Sequence, residues 1–368
     1  MKVAIVHDYI KEYGGAERVL EALYEIYPDA TVFTSVYLPR FLGPHRARFK
    51  NWKIRTSWFQ SVPFNYKLIS PFRLISAYVF SRFDFSAFDL IIVSATGAYF
   101  PNAIDKKNAL HICYCHTPPR YLYGYETARE WKKNKIFAGL MIIASHFLRM
   151  TDFSASRNVD YYVANSEEVA GRIKKFYRRD ATVIYPPVGL ETREQGIGNR
   201  KGEYFLTGGR LARAKHVDII VDACSRLGMP LKVFGKSFAG YGEELQQKAG
   251  KTVEFVGEVS DEEKAKLMAG ARAFIFASVD EDFGIIPVEA MGAGLSVIAY
   301  KSGGVKETVV EGKTGIFFDE LTVSSLISAI KKFEKMKFDP QICRRQAEKF
   351  SKERFIREIK EFLSSKAK

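Results

Sequence analysis

Apolar runs alternate with amphipathic stretches along the first half of the chain. Val3–Val6 is an all-apolar run, which is typical of a strand buried on both faces. Gly14 and Gly15 follow it, and apolar residues then recur at helical spacing from about Ala16 to Tyr27. With a next strand predicted at Ala30–Val36, the chain opens as the β-loop-α-β unit of a parallel sheet. Further strands are predicted at Leu90–Val93, His111–Cys115 and Tyr161–Ala164.

The same alternation restarts after about residue 185. Strands are predicted at Tyr204–Thr207, Leu231–Phe234, Glu254–Val256, Ala273–Phe276 and Ser296–Ala299, and helices at Val217–Leu227, Asp261–Ala269 and Val288–Gly292. The stretch Tyr185–Arg200 is rich in Pro, Gly and charge, so it predicts a linker. We therefore expect two α/β domains, residues 1–185 and 186–349. The charged tail, Asp339–Leu363, repeats aromatic residues at helical spacing and predicts a docked helix.

Composition narrows the class of protein. The chain has 368 residues, of which 47% are hydrophobic and 27% charged, as expected for folded domains rather than disorder. Four cysteines cannot form a disulfide framework, and the first residues resemble no signal peptide, so we expect a cytoplasmic location. The longest apolar stretch, Ile136–Leu148, falls short of the ~20 residues of a membrane span.

The net charge bears on the partner. Lys and Arg number 56 against 42 Asp and Glu, which gives +14. This charge leaves three classes of partner open: nucleic acid, an anionic membrane surface and phosphate-bearing small molecules.

The most informative stretch runs from Ser278 to Phe318. Glu281 and Glu289 lie eight residues apart on either side of a predicted helix start. The backbone amides there, those of Gly284, Ile285 and Ile286, would form an anion site at the helix N-terminus. Two carboxylates that accept sugar hydroxyls would then flank a phosphate-binding point. An acidic surface loop followed by an ordinary helical Glu explains the spacing about equally well.

A second candidate follows the first strand of the second half. Gly208-Gly209 ends that strand, and Arg210 and Lys215 come directly after it. The carboxyl end of a parallel strand is where α/β sheets bind ligands, and both cations bind phosphate. The spacing matches neither a P-loop nor a dinucleotide fingerprint, and a solvated basic helix start is an equal alternative.

Two weaker candidates lie in the first half. Gly14-Gly15 looks like half of a phosphate cradle, although a tight turn explains it equally well. His116 ends a predicted strand and is the best functional candidate among the six histidines, although a lone histidine is more often structural. Cys113 and Cys115 are read as buried structural thiols, since no further thiols at metal-ligand spacing accompany them. Asp280-Glu281-Asp282 spells a DxD metal motif, which we discount because of the two-half layout.

Together these residues resemble a family. In order they are HDYIKEYGGAERVLEAL, HICYCHTPPRYLYGY, VANSEEVAGRIKKFY, VIYPPV, GGRLARAKHVDIIVDAC, VEFVGEVSDEEKAKL, EDFGIIPVEAMGAGLSVIAYKSGGVKETVVEGKTGIFF and EKFSKERF. The chain resembles retaining glycosyltransferases of family 4, and within them the mannosyltransferases that build O-antigen and other surface polysaccharides. The resemblance implies the α/β GT-B fold, in which two Rossmann-like, doubly wound domains face a central cleft and the last helix crosses back to the first domain.

The resemblance also implies an activity and residue roles. The reaction would move a hexose, most simply mannose from GDP-mannose, to a hydroxyl of a glycan or lipid-linked acceptor, with no metal and no cofactor beyond the nucleotide sugar. Glu289 would hold the ribose and Glu281 the transferred sugar. Arg210, Lys215, Gly14, Gly15 and the amides of Gly284, Ile285 and Ile286 would bind the diphosphate. His116 would lie near the reacting sugar.

The acceptor side is suggested by residues Arg46–Arg82, where basic and aromatic residues interleave. This pattern suits peripheral docking on an anionic membrane, and it would also suit single-stranded nucleic acid or a core with a solvated rim. Other readings of the whole chain are a GT-B enzyme that uses UDP-glucose or UDP-N-acetylglucosamine, a sugar-nucleotide epimerase, an inactive relative, or a basic nucleic-acid-binding protein. No nucleic-acid-binding motif supports the last, so we expect no nucleic-acid partner.

Overall fold

A computed structural model describes residues 1–126, 135–190 and 202–366. The chain divides into two compact units. The first unit comprises Met1–Tyr125, Trp131–Pro187 and Lys352–Lys368, and the second comprises Glu126–Glu130 and Val188–Ser351. Residues 191–200 of the predicted linker lie outside the described residues.

The first unit is built on a seven-stranded sheet in which every pairing is parallel. Its strands are β1 (Val3–His7), β2 (Thr31–Thr34), β3 (Lys53–Thr56), β4 (Leu90–Ala95), β5 (Leu110–Cys115), β6 (Tyr161–Ala164) and β7 (Ala181–Val183). They lie side by side in the order β3-β2-β1-β4-β5-β6-β7. Its helices are α1 (Gly15–Ile26), α2 (Asn65–Phe72), α3 (Ser76–Ser81), α4 (Lys135–Ser156) and α5 (Glu167–Tyr177).

The second unit has a six-stranded sheet, again parallel throughout. Its strands are β8 (Tyr204–Gly208), β9 (Leu231–Phe234), β10 (Val253–Gly257), β11 (Ala271–Phe276), β12 (Val297–Tyr300) and β13 (Gly315–Phe318), in the order β10-β9-β8-β11-β12-β13. Its helices are α6 (Val217–Leu227), α7 (Tyr241–Lys248), α8 (Asp261–Gly270), α9 (Ile285–Gly292), α10 (Val305–Thr308), α11 (Val323–Phe333) and α12 (Pro340–Glu348).

Strand order decides where each unit can bind a ligand. In the first unit the chain reverses direction across the sheet between β1 and β4, and in the second between β8 and β11. At such a reversal the connections leave on opposite faces and open a crevice beyond the carboxyl ends of the two strands. The segments that follow β1, β4, β8 and β11 are therefore the places to look for functional side chains.

The charged tail forms two helices rather than one continuous stretch. Helix α12 packs on α9 in the second unit, and α13 (Lys352–Lys366) belongs to the first unit, where it packs on α1. Phe355, Ile359 and Phe362 of α13 are buried in the core beside the β1 sheet. Phe350, predicted to belong to the same stripe, instead packs on Phe283 in the second unit.

All four cysteines are buried, which for Cys113 and Cys115 agrees with the predicted buried thiols. Within the described residues, no helix is both long enough and apolar enough to cross a membrane.

Candidate active site

The turn after β8 and the start of α9 lie against each other in the second unit. Gly209 has a φ of +115°, and a Cβ added there would come within 2.6 Å of the Ile286 side chain. The φ favours glycine here whatever the space, and the absent side chain lets Ile286 lie close to the β8 turn. The close passage puts two of the sequence candidates, the glycine turn and the helix N-terminus, in one place.

The α9 N-terminus lies three residues before the predicted helix start at Val288. Helix α9 begins at Ile285, Gly284 is its N-cap residue, and Glu289 is buried inside its second turn. The first amides of an α-helix have no partner within the helix, so those of Ile285 and Ile286 point outward with the positive end of the helix dipole. An anionic ligand is the natural complement to this arrangement.

Glu281 is held by side chains and backbone just ahead of α9. Its carboxylate forms an ion pair with Lys215 and accepts a hydrogen bond from the Ser278 hydroxyl at 2.7 Å. Its backbone carbonyl accepts the N–H of Gly304 at 2.7 Å, and a Cβ on Gly303 would lie 2.3 Å from that carbonyl oxygen. The structure thus brings together two candidates, Lys215 and Glu281, that the sequence analysis had assigned to different parts of the ligand.

Glu289 has a cationic partner that the sequence analysis missed. Lys264 Nζ on α8 lies 2.9 Å from Glu289 Oε1 and 3.2 Å from Asp261 Oδ1. The side chains of Lys264 and Glu289 are only 17% and 6% exposed. Lys264 lies in a charged helix and carries no local sequence signal for this contact, which only the structure reveals.

Arg210 follows Gly209 at the end of the glycine turn and is exposed. Its neighbour Arg213 forms an ion pair with Glu244 on α7 at 2.5 Å.

Asp280 has a φ of +49°, and its backbone N–H donates to the Ser302 hydroxyl at 3.0 Å. In the part of the chain that the structure describes, no group of three or more His, Cys, Asp or Glu is arranged to hold a metal ion.

The first unit carries a second polar cluster, also at the carboxyl ends of its central strands. Gly14 and Gly15 begin α1, with Gly14 as the N-cap residue in an extended conformation. The Gly14 N–H donates to Glu17 Oε2 at 2.8 Å, and Glu17 Oε1 lies 3.8 Å from His7 Nε2 at the end of β1. The glycine pair is therefore a tight helix start whose amide is already used by Glu17.

His116 lies directly after β5 and is joined to this cluster. Ser94 Oγ on β4 lies 2.9 Å from His116 Nε2 and 3.1 Å from His7 Nδ1. His7 and Ser94 are fully buried and His116 is 8% exposed. Burial, reinforced by the nearby His7, lowers the pKa of His116 to about 3, so this ring is neutral near pH 7.

Asp8, next to His7, is another buried acid that the sequence analysis did not single out. Its Oδ2 accepts the Thr96 N–H at 2.9 Å and also the Thr96 hydroxyl, while burial raises the carboxyl pKa. The signal for these residues was present in the sequence, because His7, Asp8 and Ser94 directly end apolar strand patterns. Which strand ends meet, however, depends on the strand order of the sheet.

Comparison with known proteins gives these two units a family. Residues 13–192 match the family model described as Glycosyltransferase Family 4, and residues 190–353 match Glycosyl transferases group 1. The two models together span residues 13–353, so the chain belongs to the glycosyltransferases that combine these two halves.

Individual relatives agree with this assignment. The α-1,3/1,6-mannosyltransferase alg2 of Schizosaccharomyces pombe is 24% identical over 369 residues, covering 86% of this chain and 70% of that protein. Sucrose-phosphate synthase of Thermosynechococcus elongatus superposes with a TM-score of 0.74 at 17% identity and covers 99% of both chains. Anabaena HepE in complex with UDP-glucose superposes with a TM-score of 0.69 at 19% identity, covering 99% of this chain and 100% of that one. The predicted GT-B class, with two Rossmann-like parallel-sheet domains, is thereby confirmed.

Proposed function

We propose that this glycosyltransferase moves a hexose from a nucleoside diphosphate sugar to an acceptor hydroxyl, with retention of anomeric configuration and without a metal ion. The observation that carries the proposal is the pair of cation–carboxylate contacts beside the N-terminus of α9, namely Lys215 with Glu281 and Lys264 with Glu289. Positive charge, outward amides and hydroxyl-accepting carboxylates converge there, and a nucleotide sugar presents the complementary groups: phosphates, ribose hydroxyls and sugar hydroxyls.

The diphosphate would bind at the α9 N-terminus. The amides of Ile285 and Ile286 supply fixed donors, and Arg210 and Lys215 supply mobile charge beside them. The Lys215 side chain is 31% exposed, so its ammonium can reach a phosphate while it remains near Glu281. As the bond to the sugar breaks, negative charge grows on the diphosphate, and these donors would stabilise the transition state more than the bound substrate.

The two glutamates would hold hydroxyl groups. Glu289 lies inside α9 and is held by Lys264, so it presents a fixed acceptor for the ribose. Glu281 precedes α9 and is held by Lys215 and Ser278, so it presents an acceptor for the transferred sugar. A bound hydroxyl is held in place by a charged hydrogen bond at each position, which orients the anomeric carbon.

In the first unit, His116 is proposed to bind a sugar hydroxyl. We also propose front-face attack, in which the departing phosphate helps to deprotonate the acceptor hydroxyl. GDP-mannose is the proposed donor, since the relative alg2 is a mannosyltransferase, and the acceptor is a glycan or lipid-linked sugar in polysaccharide synthesis. UDP-glucose is the second candidate donor, because the structurally similar HepE is described in complex with it.

A panel of nucleotide sugars tests the proposal. The purified chain is incubated with GDP-mannose, UDP-glucose, UDP-galactose and UDP-N-acetylglucosamine, and the released nucleoside diphosphate is measured. We expect release from one donor, most strongly GDP-mannose. Release should be lost in Glu281→Gln and kept in the control Glu258→Gln, which removes the charge of an exposed glutamate whose Oε2 lies 3.6 Å from Lys236 Nζ. An epimerised sugar without transfer, or no release from any donor, would contradict the proposal. Proton NMR of the product anomer tests retention.

We further propose that the first unit docks on the cytoplasmic surface of an anionic membrane. Of the interleaved aromatic residues, Phe49, Phe59 and Phe72 are buried in the core. Other apolar side chains of the first unit remain more than a third exposed: Trp58, Phe64, Leu68, Leu74, Ile75, Tyr78, Ile142, Ile143, Phe147, Met150 and Phe153. Basic side chains lie over exposed rings, Lys67 over Phe64 and Arg82 over Tyr78.

The exposed residues fall into two groups, one at positions 58–78 and one on α4 at positions 142–153. The two groups are joined by a small core cluster in which Ala77 of α3 and Leu148 of α4 pack with Phe100 and Leu122. An apolar face bordered by cations suits the boundary between anionic headgroups and acyl chains. Co-sedimentation with vesicles of phosphatidylglycerol and phosphatidylcholine tests this proposal. We expect binding to fall in Ile143→Glu/Phe147→Glu and to persist in Ile342→Glu, which changes a 36% exposed residue of the second unit. Equal sedimentation of both variants would contradict it.

A further inference from the structure

One serine hydroxyl lies between two buried histidines in the first unit. Ser94 Oγ lies within hydrogen-bond distance of His7 Nδ1, at 3.1 Å, and of His116 Nε2, at 2.9 Å. A serine hydroxyl can donate one hydrogen bond and accept up to two. Among the described residues Ser94 Oγ contacts only these two nitrogens, so its proton is donated to one ring, and the other ring, if neutral, donates its own N–H to Ser94 Oγ. The geometry therefore couples the tautomers of His7 and His116.

Glu17 decides between the two coupled arrangements. His7 Nε2 is buried and makes no hydrogen bond within the described residues, but it faces Glu17 Oε1 at 3.8 Å. At this distance the contact is electrostatic, and a carboxylate favours an N–H dipole over a lone pair. The orientation of Glu17 is fixed in turn, because its other oxygen accepts the Gly14 N–H at 2.8 Å. This arrangement favours the proton of a neutral His7 on Nε2 rather than on Nδ1.

The remaining proton positions follow from that choice. With the His7 proton on Nε2, its Nδ1 accepts from the Ser94 hydroxyl, and Ser94 Oγ then accepts from His116. His116 must carry its proton on Nε2, which leaves a lone pair on Nδ1. We propose that Glu17, acting through His7 and Ser94, fixes the tautomer of His116 so that Nδ1 presents a hydrogen-bond acceptor to the ligand. Glu17, His7 and Ser94 are positioning residues in this arrangement.

The consequence concerns the class of group that His116 can bind, and it rests on the proposed function for the contact with sugar. A bare Nδ1 accepts a hydrogen bond from a hydroxyl, whereas an Nδ1–H would instead donate to a phosphate or carbonyl oxygen. The relay thus matches His116 to a sugar or acceptor hydroxyl rather than to the diphosphate. Burial supports this reading, because it lowers the pKa of His116 to about 3 and keeps one proton on the ring near pH 7.

NMR of the histidine rings tests the proton positions directly. The chain is labelled with ¹⁵N-histidine, and two-bond ¹H–¹⁵N correlations report which nitrogen of each ring carries the proton. The signal of His116 is assigned by its loss in His116→Asn. We expect an Nε2–H ring for His116 in the wild-type chain, and an Nδ1–H ring for His116 in the wild type would overturn the proposal.

A variant that reverses the relay sharpens the test. In Glu17→Gln the amide oxygen can still accept the Gly14 N–H, while the positive end of the amide NH₂ dipole faces His7 Nε2 and favours a lone pair there. His7 then carries its proton on Nδ1, Ser94 donates to His116, and His116 is expected to switch to the Nδ1–H form. An unchanged His116 tautomer in Glu17→Gln would show that Glu17 does not set it.

Kinetics give a second readout. Loss of an orienting partner in Ser94→Ala is expected to lower kcat by about 10–100-fold. The KM for the donor should change by less than about threefold, since the donor contacts in the second unit are untouched. The matched control is Ser156→Ala, which removes a buried hydroxyl that donates to the Phe153 carbonyl at 2.7 Å. Unchanged kcat in a folded Ser94→Ala chain would overturn the relay. A chain with no turnover on any nucleotide sugar would contradict the proposed function alone, because the NMR result would still decide the tautomer.

Discussion

Removal of the Lys264 ammonium should destabilise the second unit because it leaves the Glu289 carboxylate buried without its cation. In Lys264→Met the aliphatic volume is nearly kept and the charge is lost. Nζ and Oε1 are 2.9 Å apart, which corresponds to an attraction of about 6 kcal/mol at an effective dielectric constant of about 20. Desolvation of the two groups, whose side chains are 17% and 6% exposed, offsets much of this attraction. We therefore expect a net loss of about 2–3 kcal/mol in the free energy of unfolding.

The location of the tryptophans makes this loss measurable for one unit at a time. Trp52 and Trp58 belong to the first unit, so in a chain that also carries Trp131→Phe the tryptophan fluorescence follows that unit during urea unfolding. Far-UV circular dichroism follows both units. We expect Lys264→Met to shift the dichroism transition more than the fluorescence transition, and Lys266→Met, a change at an exposed lysine of the same helix, to shift neither.

A double variant separates the pair from its surroundings. Lys264→Met/Glu289→Gln removes both charges, so it should recover about 1–2 kcal/mol of the loss caused by Lys264→Met alone. If Lys264→Met costs less than about 0.5 kcal/mol and the double variant is no more stable, the reasoning that Lys264 compensates a buried Glu289 is refuted.

Three further predictions test the fold and its titratable groups. Gly303→Ala should lower the free energy of unfolding in urea by about 2 kcal/mol or more, because φ is +66° there and a Cβ would lie 2.3 Å from the Glu281 carbonyl oxygen. Gly312→Ala has open space around its Cβ and should cost less. Phe355→Ala should lower the free energy of unfolding by about 3–5 kcal/mol, measured by tryptophan fluorescence, because this fully buried ring docks α13 in the first unit. Lys360→Ala, on the exposed side of α13, should cost little, and equal costs in the two variants would contradict the docking. Burial raises the pKa of Asp152 to about 7, so the folded chain holds this proton more tightly than the unfolded chain. The free energy of unfolding, relative to that of Asp152→Asn, should therefore fall as the pH rises from about 4 to about 7 and then level off. If the urea midpoints of the two chains differ by the same amount at every pH in this range, the raised pKa is contradicted.

The sequence predicted the interior of each sheet better than its edges. β1, β4 and β9 are nearly continuous apolar runs because both of their faces are covered, and such runs are visible in one sequence. β3 and β7 lie at or next to the edges of the first sheet and are half-buried or exposed, so their residues show no such run. They were missed for that physical reason.

The candidate site divides in a similar way. Glycines, a helix start and carboxylates at fixed spacing are local features, so Glu281, Gly284 and Glu289 could be found from the sequence alone. The partners of these residues are contributed by other elements. Lys264 reaches Glu289 from α8, and Ser94 reaches His116 from a neighbouring strand. Contacts of this kind depend on strand order and helix packing, for which a single sequence carries no local signal.

The central claim is that the second unit binds a nucleoside diphosphate through Glu289 and the N-terminus of α9. Titration calorimetry with GDP and 2′,3′-dideoxy-GDP, on the wild-type chain and on Glu289→Gln, tests it most directly. If Glu289 accepts the ribose hydroxyls, each change alone should weaken binding by about 10-fold or more, and the two changes together should weaken it little further. Equal affinity of the wild-type chain for GDP and its dideoxy form, or unchanged GDP binding by Glu289→Gln, would contradict the account.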